Sequence, residues 1–318
     1  MTRRKLKKKA RKYLFLFFLA LFLFSAIMLT RSLWEYRKES KAHSRLEDDF
    51  LVFEETEWDV SDETLPAHLF PDATTAEILD NNDAVTDAPP QLDPSTVQPE
   101  ASSPVFTQAP LENEATTAPA TAATTVRLKE QWPNFAVNWD ALFKRNPDVI
   151  GWIWMFDSTI SYPVLLGEDN DEYLRTTIDG EYAKFGSIFA DYRSTADFSG
   201  RNTIIYGHNG GYGVKFGGLM SYQYKSHWDN HRYVCIMTPS GLAKYYIYSA
   251  YITKAEGNPY KTVFPTDSDY QSFIDKTVSS SLYSTGVVPT VADRILTLST
   301  CTNNASDERL VIHAVRVN

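Results

Sequence analysis

The sequence predicts a mainly β domain that follows an N-terminal apolar helix and a low-complexity segment. Three observations support this prediction. Short apolar runs with period two recur through residues 126–318, turn-forming Gly, Asn, Asp and Pro separate them, and two helical patterns interrupt the series. This punctuation favours a closed barrel or a sandwich over an α/β sheet.

The N-terminus consists of a basic segment and then an apolar one. Residues 1–12 hold eight Lys and Arg and no acidic residue, and residues 13–30 are uncharged and rich in Phe and Leu. A helix over 13–30, rising about 1.5 Å per residue, is just long enough to cross a hydrocarbon core of about 30 Å. We expect a transmembrane helix there, with 1–12 cytoplasmic and the remainder extracellular by the positive-inside rule. A cleaved signal peptide is the alternative, while a buried core helix is disfavoured because no face of the run is polar.

The next two segments differ in composition. Residues 31–58 form a charged juxtamembrane segment in which the helix can continue away from the membrane. Thr, Ala, Pro, Asp and Ser dominate residues 59–125, with a low-complexity run over 115–125. Such a composition buries too little apolar surface to offset the entropy of ordering, so we expect a disordered stalk. The folded domain is expected over 126–318, which is long enough for a substantial core.

The charge of the chain excludes one class of partner. The formal net charge is −9 although the basic residues are concentrated in 1–12, so the remainder is more acidic still. An acidic surface repels phosphate backbones, and we expect no nucleic acid partner.

The folded region is predicted to contain eight strands and two helices. The strands are expected at 151–156, 160–165, 186–190, 203–207, 233–238, 244–253, 294–300 and 310–317. Asn138 is the expected cap of the first helix, which Asn146-Pro147 ends. Thr266 and Asp269 form a capping-box-like start of the second helix. The apolar face of that helix is expected to be Tyr270, Phe273, Ile274, Val278 and Leu282.

A cysteine at the end of an apolar run is the first candidate for catalysis. Cys301 closes the run Thr297-Leu298-Ser299-Thr300-Cys301, His208 lies in Tyr206-Gly207-His208-Asn209, and Arg309 follows the cysteine by eight residues. A thiol with a base and a fixed cation elsewhere in the chain is the composition that cysteine acyl transfer requires. Arg309 cannot be the base, because a guanidinium keeps its proton in proteins.

These residues also have structural interpretations. Cys301 could form a disulfide with Cys235, the other cysteine, although Cys235 lies in a strand-like apolar run that is typical of a buried thiol. His208 could satisfy a turn, and Arg309 could pair with an acidic neighbour. His313 is the rival base, but a histidine within a continuous apolar strand is more often a satisfied core residue.

No metal and no cofactor are expected. His227 and His231 flank Trp228 and Asp229, but two ligands without a cysteine or third histidine nearby fall short of a zinc site. The Gly-rich run 209–213 is not a phosphate loop, because no Lys-Ser/Thr follows it. We expect it to be a flexible wall of a substrate groove.

Four segments together resemble class B sortases. They are Asn146–Ile153, Gly186–Arg193, Asn202–Asn209 and Thr297–Cys301, followed by Arg309-Leu310-Val311, and they span the folded region in the order of the family. The resemblance implies an eight-stranded sortase-like β-barrel with an N-terminal helix and an inserted helix before the nucleophile strand.

The same resemblance implies a reaction. Cys301 would attack a backbone carbonyl in the C-terminal sorting signal of a surface protein, often Asn-Pro-x-Thr-like, and form an acyl thioester. An amine of a peptidoglycan cross-bridge or of a pilin lysine would resolve it. His208 would serve as acid and base, and Arg309 would bind the oxyanion and the substrate. Further candidates for substrate contact are Ser299, Thr300, Tyr206, Asn209 and Asn303.

One position departs from the family pattern, and two other functions stay open. Asn303 stands where some class B members have an acidic residue, so an orienting carboxylate is not expected there. A non-catalytic, stalked surface-binding barrel would make Cys301 structural. A cysteine endopeptidase of the same fold would only hydrolyse its substrate.

Overall fold

The computed structural model describes residues 3–53, 65–71, 132–302 and 307–318. The first element is an uninterrupted helix, α1 (Arg3–Phe50), which leads directly into a short strand, β1 (Leu51–Phe53). Large apolar side chains between residues 13 and 29 are exposed, and within the described ranges α1 is the one helix long and apolar enough to cross a membrane. The apolar segment is therefore helical, and the same helix continues through most of the juxtamembrane segment.

A two-stranded pairing brings the chain back to the end of α1. β1 runs antiparallel to β2 (Phe135–Val137), with Leu51 opposite Val137 and Phe53 opposite Phe135. The pairing therefore holds the end of α1 next to the chain that enters the barrel. Most of the predicted stalk, residues 59–125, lies outside the described residues. For the part of 59–125 outside the described residues, the disordered stalk stays a prediction.

A short piece of the predicted stalk is ordered against the barrel. Residues 65–71 contain a single 3₁₀ turn, Ala67–Leu69, and the side chains of Leu65 and Leu69 are buried in the main apolar cluster. The amide of Val288 donates to the carbonyl of Leu69 at 2.8 Å. Each buried leucine contributes about 1.5–3 kcal/mol, which offsets part of the ordering entropy of this short segment. Average composition over a long window does not reveal two such residues.

Eight strands form the closed barrel and confirm the predicted mainly β fold. They are β3 (Val149–Trp154), β4 (Ser161–Leu165), β5 (Ile188–Ala190), β6 (Asn202–Tyr206), β7 (Tyr233–Thr238), β8 (Gly241–Lys254), β9 (Ile295–Cys301) and β10 (Glu308–Arg316). Around the barrel the order is β3-β4-β5-β6-β9-β10-β8-β7, and β7 pairs with β3. The pairs β4/β5 and β6/β9 are parallel, and the other pairs are antiparallel.

Helices join the strands outside the barrel. α2 (Trp139–Arg145) begins at Asn138, whose side-chain oxygen accepts from the amide of Ala141 at 3.1 Å. α3 (Lys225–Trp228) is a single turn between β6 and β7 that the sequence does not predict. Both helices lie in connections, so neither changes the strand order.

The inserted helix, α4 (Asp267–Ser280), anchors the strands of the nucleophile region. Its predicted capping box is present, and the Tyr270 hydroxyl donates to the carbonyls of Arg201 at 2.6 Å and Asp293 at 2.9 Å, next to the starts of β6 and β9. The prediction for Leu282 is wrong, because the helix ends at Ser280 and this side chain is 51% exposed.

The barrel topology places three strand ends side by side. β6 and β9 are parallel neighbours, so their carboxyl ends lie at the same edge. β10 pairs antiparallel with β9, which brings the amino end of β10 to that edge. The residues at these three ends form the site described next.

Candidate functional site

The three residues predicted to be catalytic lie together at this edge of the barrel. Tyr206, at the end of β6, is opposite Ser299, so His208 emerges two residues later next to the end of β9. Cys301 ends β9 and is the register partner of Arg309 in β10. The strand pairing therefore brings together three side chains that are distant in sequence.

A groove of about 250 Å³ opens at this point, and all three residues line it. Its lining is Asn170, Leu174, Phe189, Tyr206, Gly207, His208, Ala255, Tyr260, Ser299, Thr300, Cys301 and Arg309. Aromatic and aliphatic walls with a few polar groups are typical of a site that binds an extended ligand and orients it.

Hydrogen bonds to the main chain hold the loop that carries His208. The carbonyl of His208 accepts from the amides of Phe216 at 3.0 Å and Gly210 at 3.1 Å. The side-chain amide of Asn209 donates to the carbonyl of Cys301 at 2.8 Å. Asn209 thus ties the histidine loop to the nucleophile strand, and it is not part of the groove lining.

The residue before His208 has to be glycine because two side chains leave no room for a Cβ. A Cβ on Gly207 would lie 2.5 Å from Ile188 Cδ1 and 2.7 Å from Phe216 Cγ. Such distances require the backbone or its neighbours to move. The close approach of Gly207 to the barrel therefore fixes where the imidazole enters the groove.

The imidazole of His208 is neutral at neutral pH. Burial lowers the pKa of His208 to about 4, and the positive charges of Arg175, Lys215 and Arg309 lower it further in the same direction. A neutral imidazole has a free ring nitrogen that can accept a proton from a neighbouring thiol. His208 is thus prepared to act first as a base.

Both cysteines are free thiols, in contrast to the disulfide interpretation. Cys301 is partly exposed in the groove, whereas Cys235 is 1% exposed in β7. Strands β7 and β9 are not neighbours in the barrel. Cys235 is therefore a buried core thiol, as expected from its apolar run.

Arg309 lines the groove, and its acidic neighbours Asp307 and Glu308 bind other side chains as well. The Asp307 carboxylate is 2.8 Å from the ammonium of Lys254, and the carboxylate of Glu308 accepts from the Thr302 hydroxyl at 2.6 Å. Nη1 of Arg309 donates to the carbonyl of Glu308 at 3.0 Å. Arg309 is also the register partner of Cys301, and both residues line the groove.

The rival base, His313, is a satisfied core residue. It is fully buried in β10, with Nδ1 at 2.8 Å from the Thr297 hydroxyl and Nε2 at 3.1 Å from the Tyr251 hydroxyl. Burial lowers the pKa of His313 to about 3. It does not line the groove, so it cannot meet a substrate there.

The residues proposed to contact substrate fall into different places. Tyr206, Ser299 and Thr300 line the groove, although the side chains of Ser299 and Thr300 are almost completely buried. Asn209 has the supporting position described above, and Asn303 lies outside the described residues.

Sequence reasoning did not find several groove residues. Asn170, Leu174, Ala255 and Tyr260 come from connections between strands, and no motif marks them. Phe189 lies in the segment 186–193, one of the four that resemble class B sortases. That resemblance was the signal that could have identified Phe189 as a groove residue. Loop residues reach a site through long-range contacts that local patterns do not encode.

The histidine pair considered as a metal site is a stacked pair instead. The rings of His227 and His231 are 4.1 Å apart and nearly parallel. In the part of the chain that the structure describes, no group of three or more His, Cys, Asp or Glu side chains is arranged to hold a metal ion.

Comparisons with known proteins agree with this barrel. A family model described as the sortase domain matches residues 157–317. Sortase B of Staphylococcus aureus is 37% identical over 177 residues, which are 55% of this chain and 72% of that protein. Sortase B of Listeria monocytogenes is 38% identical over 170 residues, which are 53% of this chain and 68% of that protein.

Solved structures give the same result. The Staphylococcus aureus sortase B–substrate complex has a TM-score of 0.54 and 35% sequence identity, and the match covers 56% of this chain and 84% of that chain. The shared part is the eight-stranded barrel. The chain therefore belongs to the sortase family as a class B member, and it is a cysteine transpeptidase.

Proposed function

We propose that this transpeptidase acts on surface proteins that carry a C-terminal sorting signal, with Cys301 as nucleophile, His208 as acid and base, and Arg309 as oxyanion and substrate binder. Its acceptor is the amine of a peptidoglycan cross-bridge or of a pilin lysine. The observation that carries the proposal is the convergence of these three side chains on one groove from β9, from the loop after β6, and from β10.

In the acylation step the neutral imidazole of His208 acts on the thiol of Cys301. His208 accepts the proton of Cys301, and the sulfur attacks the carbonyl carbon of the scissile peptide bond. The resulting oxyanion is stabilised by the guanidinium of Arg309, which stays charged throughout. Histidine then gives its proton to the leaving nitrogen, the C–N bond breaks, and an acyl thioester remains on Cys301.

In the second step an amine takes the place of the leaving group. His208 accepts a proton from the incoming amine as its nitrogen attacks the thioester. The C–S bond breaks, the new amide leaves, and the proton returns to the sulfur. A low histidine pKa favours the neutral base, which is the form that both attacks require.

We also propose that α1 anchors the enzyme in a membrane, with the N-terminus cytoplasmic and the barrel extracellular. Support comes from the uncharged run 13–30, its exposed apolar side chains and the basic residues 1–12 before it. The full chain is the right object of study, since α1, β1 and residues 65–71 all contact the barrel.

The test is intact-mass spectrometry of the full-length protein in detergent, incubated with a panel of sorting-signal peptides that includes Asn-Pro-x-Thr sequences. We expect a peptide-acyl adduct that maps to Cys301 and that hydroxylamine removes. Cys301→Ala should form no adduct, whereas the matched variant Cys235→Ala should form it normally. An adduct that survives in Cys301→Ala would contradict the assignment of the nucleophile.

The same reaction separates transfer from hydrolysis. With an added amine such as a short oligoglycine peptide, a transpeptidase yields the ligated amide. A product that is the free acid whatever amine is added would favour the endopeptidase alternative. The absence of any adduct with a correctly folded barrel would favour the surface-binding alternative.

A further inference from the structure

A buried carboxylate lies directly behind the groove and has no role in the chemistry described so far. Asp191 follows β5 and is completely buried, so its side chain cannot touch a substrate. It does not line the groove, but three of the groove-lining residues are connected to it by hydrogen bonds. The three residues, Asn170, Tyr206 and Tyr260, come from different parts of the chain, and we call each of these parts a wall of the groove.

The first two connections are direct. The Tyr206 hydroxyl donates to Asp191 Oδ2 at 2.9 Å, and the side-chain amide of Asn170 donates to the same oxygen at 3.2 Å. Tyr206 belongs to β6, two residues before His208, and Asn170 belongs to the connection between β4 and β5. One oxygen atom therefore joins two walls of the groove.

The third connection passes through Arg193. This guanidinium binds both carboxylate oxygens of Asp191, Nε to Oδ1 at 2.7 Å and Nη2 to Oδ2 at 2.8 Å. The same Nη2 donates to the carbonyl of Tyr260 at 3.2 Å, and the hydroxyl of Tyr260 is 3.0 Å from the Ser299 hydroxyl on the nucleophile strand. The rings of Tyr206 and Tyr260 also stack, with centroids 6.2 Å apart.

The cluster holds together because Asp191 is ionised. Burial alone would raise the pKa of Asp191, but hydrogen bonds from Arg193, Tyr206 and Asn170 outweigh it and keep the pKa below its ordinary value. A charged acceptor makes stronger and more directional hydrogen bonds than a neutral one. The walls that it joins are correspondingly fixed before substrate arrives.

We infer that Asp191 is a positioning residue that fixes the substrate-binding shape of the groove. It holds two walls directly and the third through Arg193, and it takes no part in the proton transfers. The inference rests on the proposed function, because it assumes that the groove binds a peptide for attack by Cys301.

The test compares two reactions of the full-length enzyme in detergent. Alkylation of Cys301 by iodoacetamide requires only an accessible thiol. Acylation by a sorting-signal peptide also requires the groove-lining residues that bind the peptide. In Asp191→Asn the size of the side chain is kept and its charge is lost. We expect the kcat/KM for peptide to fall by about tenfold or more, mainly through KM, while the alkylation rate stays within about twofold of wild type.

A matched control lies in the same connection. Asp197 is exposed and bonds only to its own turn, so Asp197→Asn removes a carboxylate without touching the groove. It should leave both reactions unchanged. An Asp191→Asn enzyme with normal peptide kinetics would overturn the inference, and so would an equal loss in both reactions, which is the signature of a general structural defect.

Two further variants keep the test decisive if Asp191→Asn folds poorly. Tyr206→Phe removes one hydrogen bond to the carboxylate, and Arg193→Gln removes the link to Tyr260 from a side chain that is 39% exposed. Both should raise KM and leave alkylation unchanged. Where Asp191→Asn does fold, Tyr206→Phe should raise the KM by a smaller factor in that background than in wild type, and full additivity would contradict a shared unit.

These outcomes are distinguishable from a failure of the proposed function. If the wild-type enzyme forms no thioester with any peptide, the proposed function fails first. If the wild-type enzyme is acylated and the variants behave like it, only the inference about Asp191 fails.

Discussion

Two histidines with lowered pKa values lie in different regions of this barrel, and only one of them faces a groove. His208 stands beside Cys301 at the barrel edge, while His313 is fully buried with both ring nitrogens hydrogen-bonded to hydroxyl groups. The pKa of His313 is about 3 and that of His208 about 4, so the more strongly shifted residue is the one that cannot meet substrate. Access and a nucleophilic neighbour, rather than the size of the shift, distinguish the catalytic candidate.

The largest effect expected from this comparison concerns the groove thiol. Cys301→Ala should lower transpeptidation by about 10⁴-fold or more, because no other group can form the thioester. Peptide turnover by wild type and variant, measured with the unfolding midpoint of each, checks this. The buried counterpart Cys235→Ala should keep its activity and lower the unfolding midpoint, since it leaves a small cavity in β7.

The two histidines should respond in opposite ways to substitution. His208→Gln should lower kcat by about 10²–10⁴-fold with a nearly unchanged free energy of unfolding, because general acid and base catalysis is lost. His313→Leu should keep most of the activity and lower the free energy of unfolding by about 2–4 kcal/mol, since it removes two buried hydrogen bonds. Peptide kinetics and urea unfolding measure the two quantities. If a stably folded His313→Leu protein were inactive, the conclusion that His313 has no catalytic role would be wrong.

Acid pH provides a further way to separate the two regions. The ordinary pKa of histidine is 6.5, and that of folded His313 is about 3. Between these values the unfolded chain binds a proton that the folded chain does not, so stability is lost as the pH falls from about 6.5 to about 3. Urea unfolding across this range should show a shallower acid loss in His313→Leu than in wild type.

The pKa of His208 determines at which pH the groove gains a positive charge. With a pKa of about 4, the imidazole should remain neutral down to about pH 5. Histidine NMR titration of the full-length protein checks this, with His208→Gln to assign the resonance. A midpoint near 6.5 would mean that the groove is wetter and less positive than the structure indicates.

The smallest effect concerns the residue that places His208. Gly207→Ala should displace the histidine loop, lower kcat/KM by about tenfold and destabilise the fold by about 1–3 kcal/mol. Gly211→Ala is the matched control, because a Cβ there meets no atom within 4 Å and its backbone is not in the left-handed region. If the two variants had the same kcat/KM and the same stability, the lack of space for a Cβ at Gly207 would not be what places His208.

The strands and the nucleophile region were predictable because their signals are local. Alternating apolar residues and turn residues mark each strand, and the runs around Cys301 and His208 are continuous in sequence. The other walls of the groove depend on distant contacts. Tyr260 reaches the site because the side-chain amide of Asn202 donates to the carbonyls of Lys261 at 2.7 Å and Pro259 at 3.3 Å. No pattern near residue 260 predicts that partner.

The contacts at the N-terminal side of the barrel are also long-range contacts. Composition describes the average over residues 59–125 but not where their flanking residues are attached, and the pairing of β1 with β2 is a long-range contact. Leu69 is likewise buried against residues of the barrel that are distant in sequence. Sequence patterns alone predict neither of these contacts.

The unbroken course of α1 into β1 has a mechanical consequence for an enzyme anchored as proposed. The helix extends from residue 31 to residue 50 beyond the apolar run, which at about 1.5 Å per residue is a strut of about 30 Å. A salt bridge of 2.7 Å between Glu35 and Lys184 braces this strut against the barrel. The groove would then work at a set height above the lipid surface, and a substrate protein would have to present its scissile bond within that layer.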